Sequence, residues 1–187
     1  MAWLRTNPLT AADRAPERHL ERCLASTRRR LVGLASGESR PLHEYATTLA
    51  VAIVRPRLAL AMHVGDGAVV VRRREGVYET LSREAKGGAA NVADFLTDAD
   101  FRQRTRFTRL KGDFDATAGM TDGLEPLAFT PDRRPFERFF DPLLACLRRE
   151  GTAGAKRSLK IFLTSDRVRS ASDDDLSVVL ALLEKQS

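Results

Sequence analysis

The chain has 187 residues, 43% hydrophobic and 30% charged, enough for one domain with a sizeable core. Its 31 Lys and Arg against 25 Asp and Glu leave a formal charge of +6. The basic residues are scattered, and the short runs Arg28 to Arg30 and Arg72 to Arg74 have no interleaved aromatics, which argues against a nucleic-acid surface. No apolar run reaches a membrane span and the start lacks a signal peptide's apolar segment. Two distant cysteines make no disulfide framework, so a cytoplasmic protein with Cys23 and Cys146 as core thiols is expected.

In chain order, Trp3-Leu4-Arg5 resembles the tail of a helix stopped by Asn7-Pro8. Leu20, Cys23, Leu24, Leu31 and Leu34 recur near helical spacing, which predicts a helix over Ala15 to Leu34 packed on a sheet. Gly37 to Pro41 is turn-rich, and Tyr45 to Val54 reads as a β-type run closed by Pro56. Leu58 to Val64 and Ala68 to Arg73 flank Gly65-Asp66-Gly67 and read as two buried strands of a hairpin, with a third strand at Val77 to Leu81. An antiparallel meander is the simplest topology. Lys86 to Asn91 is a loop whose glycines lack the Gly-Lys-Ser/Thr of a nucleotide-binding P-loop.

Arg104 to Leu110 alternates in part, and Ala116 to Met120 is a further strand. Phe136, Phe139, Phe140, Leu143, Leu144 and Leu147 fall at steps of three and four, which predicts an amphipathic helix over Phe136 to Glu150 with an aromatic stripe in the core. Thr152 to Lys156 reads as a flexible link, Leu159 to Leu163 as a short helix and Leu176 to Leu182 as a final strand. Helices and strands in blocks favour an α+β fold with antiparallel sheets.

Three acidic turns stand at the ends of β-type runs: Gly65-Asp66-Gly67, Thr121-Asp122-Gly123 and Asp173-Asp174-Asp175. Carboxylates brought together from such turns can hold a hard cation, because Mg²⁺ and Mn²⁺ favour oxygen ligands. Taken singly, each aspartate is an ordinary turn residue bonding to its own backbone. His63, one step from a turn, reads as a packed or edge histidine rather than a metal ligand, and His19 and His43 as surface residues.

Together, Ala46-Thr47-Thr48-Leu49, Val64-Gly65-Asp66-Gly67, Met120-Thr121-Asp122-Gly123-Leu124 and Asp174-Asp175-Leu176-Ser177 resemble the metal-dependent protein phosphatases of the 2C type. The resemblance is closest to a bacterial subgroup, in which a loop like Gly88-Ala89-Ala90-Asn91 precedes a segment like Phe95-Leu96-Thr97-Asp98. It implies a four-layer α-β-β-α sandwich with two antiparallel sheets, two or more Mn²⁺ or Mg²⁺ ions, and hydrolysis of phosphoserine or phosphothreonine proteins by metal-activated water without a protein nucleophile. By motif, Asp122 and Asp174 resemble ligands of the first metal, and Asp66 a ligand that with Asp122 serves a weaker site. Asp173 is the fallback if the register slips by one. Gly123 lets the chain turn away from its ligand, while Thr48 and Gly65 resemble structural positions.

The family's N-terminal part, an acidic pair followed by Asp-Gly-x-Gly, has no counterpart ahead of Tyr45. Residues 1–187 are therefore expected to form a single, N-terminally incomplete phosphatase-like domain. Two other readings share these residues: a non-catalytic pseudophosphatase acting as a protein-binding module, and an unrelated α+β domain with coincidental acidic turns.

Overall fold

The computed structural model describes residues 15–83 and 94–183. Trp3-Leu4-Arg5 and the Lys86 to Asn91 loop lie outside the described residues. Helix α1 (Ala15–Gly37) leads through a 3₁₀ turn (Leu42–Tyr45) to strands β1 (Leu49–Arg55) and β2 (Leu58–Val64). β3 (Ala68–Arg73) and β4 (Tyr78–Arg83) follow, then the short α2 (Phe101–Arg104), β5 (Arg106–Lys111) and β6 (Phe114–Met120). A 3₁₀ turn (Asp122–Leu124), α3 (Glu125–Ala128), the long α4 (Glu137–Leu163), α5 (Asp166–Arg169) and β7 (Val178–Leu182) complete the fold.

The strands form two antiparallel sheets, of order β1-β2-β5 and β4-β3-β6-β7. Alternation along each strand sends its residues to opposite faces, and the core divides accordingly. On the outer face of the first sheet, Leu60, Met62 and Val64 pack with Leu20 and Leu24 of α1. Between the sheets, Ala59 and Ala61 meet Val69, Val71, Leu81 and Phe114. Outside the second sheet, Val70, Ala116 and Ala118 pack with Phe139, Phe140 and Leu144 of α4. The layers are helix, sheet, sheet, helix, as expected.

The expected hairpin at Gly65-Asp66-Gly67 is not one. β2 pairs with β1 and β5, whereas β3 pairs with β4 and β6. The chain changes sheet at this turn, helped by positive φ at Gly65 (103°) and Gly67 (82°). Both flanking strands are buried on two faces, β2 along its whole length. A two-residue glycine signal predicts a turn but does not say whether its arms pair or part into separate layers.

Four further expectations change. α4 is broken at Gly151, whose φ of 66° is non-helical, so its first segment ends at Glu150 as expected; Thr152 to Lys156, however, is no flexible link but opens a second helical segment whose Leu159, Phe162 and Leu163 pack on the core. The Phe136 ring precedes α4 and is exposed, so the buried stripe starts at Phe139. Cys23 is exposed and Cys146 half-buried; the face of α1 that meets the sheet runs through Leu20, Leu24 and Leu31. The run at Tyr45 opens as a 3₁₀ turn, and pairing starts at Leu49. His43 is exposed and His19 half-buried.

One flank of the sandwich is open among the described residues. Register with Ala61 and His63 puts Ala52 and Ala50 of β1 on the inner face, yet both are exposed. Val179 of β7, opposite Gly119 and so also on an inner face, is 72% exposed. The four-stranded sheet thus extends past the three-stranded one at β7.

Candidate metal centre

Antiparallel pairing decides where the acidic turns go. β6 ends at Met120, which sits opposite Ala68 at the start of β3 and opposite Val178 at the start of β7. The C-terminal end of a strand and the N-terminal ends of its two antiparallel neighbours share one edge of a sheet. Asp66 comes just before β3, Asp122 just after β6, and Asp174 before β7, so all three reach the same edge.

The contacts there are close. A Cβ added to Gly67 would lie 2.6 Å from the Met120 carbonyl oxygen, so the turn carrying Asp66 presses on the segment leading to Asp122. A Cβ on Gly123 would lie 3.1 Å from Asp174 Cβ and 3.0 Å from the Asp175 carbonyl oxygen. Asp174, rather than Asp173, therefore abuts the Asp122–Gly123 turn. The Thr121 hydroxyl donates to the Asp175 carbonyl at 3.0 Å and accepts from Ser177 N–H at 3.0 Å.

Gly65 is fixed from below. A side chain there would overlap Thr48, 2.3 Å from its Cγ2, so the two residues pack in direct contact beneath the turn. The His63 ring donates through Nε2 to the Asp66 carbonyl at 2.7 Å, and Arg106 Nη2 donates to the Gly65 carbonyl at 3.0 Å. His63 is 0% exposed, a packed histidine, and burial pushes its pKa down.

Electrostatically the edge is unbalanced. Burial holds the Asp122 carboxyl above its ordinary range, and the negative charges of Asp66 and Asp174 raise it further, against bonds from the Gly123 and Asp122 backbone. Among the described residues, no Lys or Arg pairs with Asp66, Asp122 or Asp174. Nearby acids do have partners: Glu125 pairs with Arg83, and Asp94 with Arg104. Oxygen donors that repel one another and lack a described cationic partner fit a divalent cation. The fit is partial: among the described residues no three His, Cys, Asp or Glu side chains close around one point, so the edge offers carboxylates in pairs, the number that a largely hydrated Mg²⁺-type ion takes from protein.

Sequence reading did not find the parts that hold the turns. Thr121 and Arg106 carry no local signal of such a role.

Fold and edge together define a layered α+β domain with an acidic rim at one end of its larger sheet. Residues 3–164 match the family described as Protein phosphatase 2C, and the chain belongs to that family. It is 34% identical over 159 residues to serine/threonine-protein phosphatase 3 of Escherichia coli (strain K12), a match covering 83% of this chain. The chain spans 62% of that curated relative's length. Among solved structures, a bacterial serine phosphatase carrying one substitution aligns with a TM-score of 0.63 at 16% identity, covering 96% of this chain and 74% of that one. Serine/threonine phosphatase Stp1 from Staphylococcus aureus gives 0.55 at 17% identity, covering 98% and 74%. The catalytic domain of serine/threonine protein phosphatase PstP, crystallised with two manganese ions, gives 0.52 at 16% identity, covering 96% and 74%.

Proposed function

We propose that this chain is the larger part of a metal-dependent phosphatase domain acting on phosphoserine and phosphothreonine proteins. The carrying observation is the meeting of the acidic turns at one sheet edge, with Gly67 against the Met120 carbonyl and Gly123 against Asp174, and no ion pair of Asp66, Asp122 or Asp174 among the described residues. Asp122 and Asp174 would hold one divalent ion, and Asp66 with Asp122 a weaker one, Mn²⁺ and Mg²⁺ being the oxygen-preferring candidates. Such an ion, when bound, supplies the Lewis acidity that activates water and orients a phosphoryl group. The residues' own task is to keep three carboxylates at one edge: Gly67 lets the Asp66 turn sit on β6, Gly123 lets Asp174 approach, and Thr121 ties the two segments. A cytoplasmic setting suits two free cysteines, and no described helix is long and apolar enough to cross a membrane.

Full activity on this reading needs carboxylates beyond these three, since an ion held by few protein oxygens stays largely hydrated and exchangeable. The open flank at β1 and β7 is room for further strands. The test is Mn²⁺-dependent turnover of a phosphothreonine peptide by this chain, by a version extended upstream through an Asp-Gly-x-Gly motif, and by Asp122→Asn forms of both. The expected result is weak or absent turnover by the chain alone, and robust turnover by the extended form that Asp122→Asn abolishes. An inactive extended form would favour the non-catalytic, protein-binding alternative. Robust turnover by the chain alone would show that another residue supplies the bridging carboxylate.

A further inference from the structure

The turn that carries Asp66 runs between two sheets and belongs to neither, so its carbonyls have no ladder partners. Unpaired polar backbone is costly where water is excluded, and here side chains satisfy it. One of them is His63, 0% exposed on the inner face of β2. Its Nε2 lies 2.7 Å from the Asp66 carbonyl oxygen and its Nδ1 2.9 Å from Ser82 Oγ on β4. A carbonyl only accepts, so Nε2 bears the proton and Nδ1 accepts from the Ser82 hydroxyl. Both ring nitrogens are thereby assigned, and the imidazole is held in one tautomer and one orientation.

The two partners lie in different places. Ser82 sits opposite Val69 in the second sheet, while His63 belongs to the first. The ring therefore spans the interlayer and grips the peptide group of Asp66 itself. A buried histidine needing only satisfaction could bond to any core polar group; this one bonds to the residue whose carboxylate acts on Asp122.

We propose that His63, oriented by Ser82, is a positioning residue that fixes the Asp66 peptide, sets that carboxylate toward Asp122, and so governs how tightly the chain holds a divalent cation. The inference rests on the metal-site reading above. Groups outside a ligand shell that orient its members typically change metal affinity about 10- to 100-fold when lost.

The test compares the unsubstituted chain with His63→Leu, Ser82→Ala and Tyr78→Phe. The last removes a hydroxyl bond to Asp141 on the helix-facing side of the second sheet and serves as the control for general destabilisation. Two readouts are taken: the Mn²⁺ dissociation constant from the free-ion electron paramagnetic resonance signal, and the order parameter of the Gly67 amide, which shares its peptide plane with the Asp66 carbonyl. His63→Leu is expected to weaken Mn²⁺ binding about tenfold and to lower the Gly67 order parameter from about 0.85 toward about 0.6. Ser82→Ala should move both in the same direction by less, and it carries the test if His63→Leu does not fold. Tyr78→Phe should move neither. Equal Mn²⁺ affinity across the folded variants, or an unchanged Gly67 amide, would overturn the proposal. No Mn²⁺ binding by the unsubstituted chain would remove its metal part, with the Gly67 readout still deciding whether His63 holds the Asp66 peptide.

Discussion

Thr121 and Ser177 bond twice across the end of the larger sheet: Thr121 N–H donates to the Ser177 carbonyl at 3.1 Å, and Ser177 N–H donates to the Thr121 hydroxyl at 3.0 Å. The pair continues the β6–β7 ladder one step beyond Met120 and Val178. That extra step brings the Asp122 turn against Asp174.

Thr121→Val removes the hydroxyl while keeping the β-branched shape. The Asp175 carbonyl and Ser177 N–H each lose a partner at an exposed edge where water can replace it, and the expected cost is about 0.5–1.5 kcal/mol of unfolding free energy. Urea denaturation measures it. Mn²⁺ affinity should fall alongside, because the two acidic segments are no longer tied; a fall in stability with unchanged Mn²⁺ affinity would show that the ladder alone sets their approach.

Asp122 gives a pH prediction whose sign can be worked out. Its folded pKa lies above the unfolded value, so the folded state binds the proton more readily and loses stability as pH rises from the unfolded value, about 3.9, through the folded one. Asp122→Asn should therefore stabilise the metal-free chain at neutral pH, by less than about 1 kcal/mol for a partly exposed group. The gain should vanish below pH about 4. Urea midpoints of both proteins, measured with chelator across this range, check the sign. With Mn²⁺ present the order should reverse, since only the parent gains binding free energy.

Phe140 lies at the centre of the helix-facing core, 0% exposed, stacked on Tyr78 at 5.2 Å and edge-on to Phe139 at 5.0 Å. Phe140→Ala should cost about 3–5 kcal/mol through lost burial and the cavity left behind. A thermal shift near zero would mean that α4 does not seat this stripe on the sheet.

Gly65 combines three obstacles to a side chain: a φ of 103°, the overlap with Thr48, and the Asp94 carbonyl oxygen 2.9 Å from an added Cβ. Gly65→Ala should cost on the order of 3 kcal/mol. Adding Thr48→Gly relieves the overlap with Thr48 but not the backbone strain, so the double variant should recover only part of the loss. Full recovery in chemical denaturation would mean that neither the backbone conformation nor the approach of the Asp94 carbonyl contributes.

These residues also show what the sequence could and could not convey. The acidic turns and their order were legible, because Gly and Asp mark turns through local backbone chemistry. The layering of α1 and α4 was legible from apolar spacing. The sheet change at Gly65-Asp66-Gly67 was not, because pairing partners far along the chain decide it: β5 beside β2 and β6 beside β3. The break after Glu150 was legible from Gly151, whereas the helical segment beyond it was hidden by Gly154, whose low helix propensity is outweighed by distant contacts of Leu159 and Phe162. Cys23 was misplaced because it neighbours Leu24 at the boundary of the apolar stripe, where a shift of one residue turns a side chain outward. At the site, the aspartates announced themselves, whereas Thr121, Ser82 and Arg106 act through bonds to segments far away in sequence.

The central claim is that Asp66, Asp122 and Asp174 act together on a divalent cation, and calorimetric titration with Mn²⁺ tests it most directly. The unsubstituted chain should bind Mn²⁺, Asp122→Asn should abolish binding, and Asp174→Asn and Asp66→Asn should each weaken it. Asp173→Asn, altering an exposed neighbour outside the contact, should leave it unchanged. Mn²⁺ binding by Asp122→Asn equal to that of the parent would contradict the account.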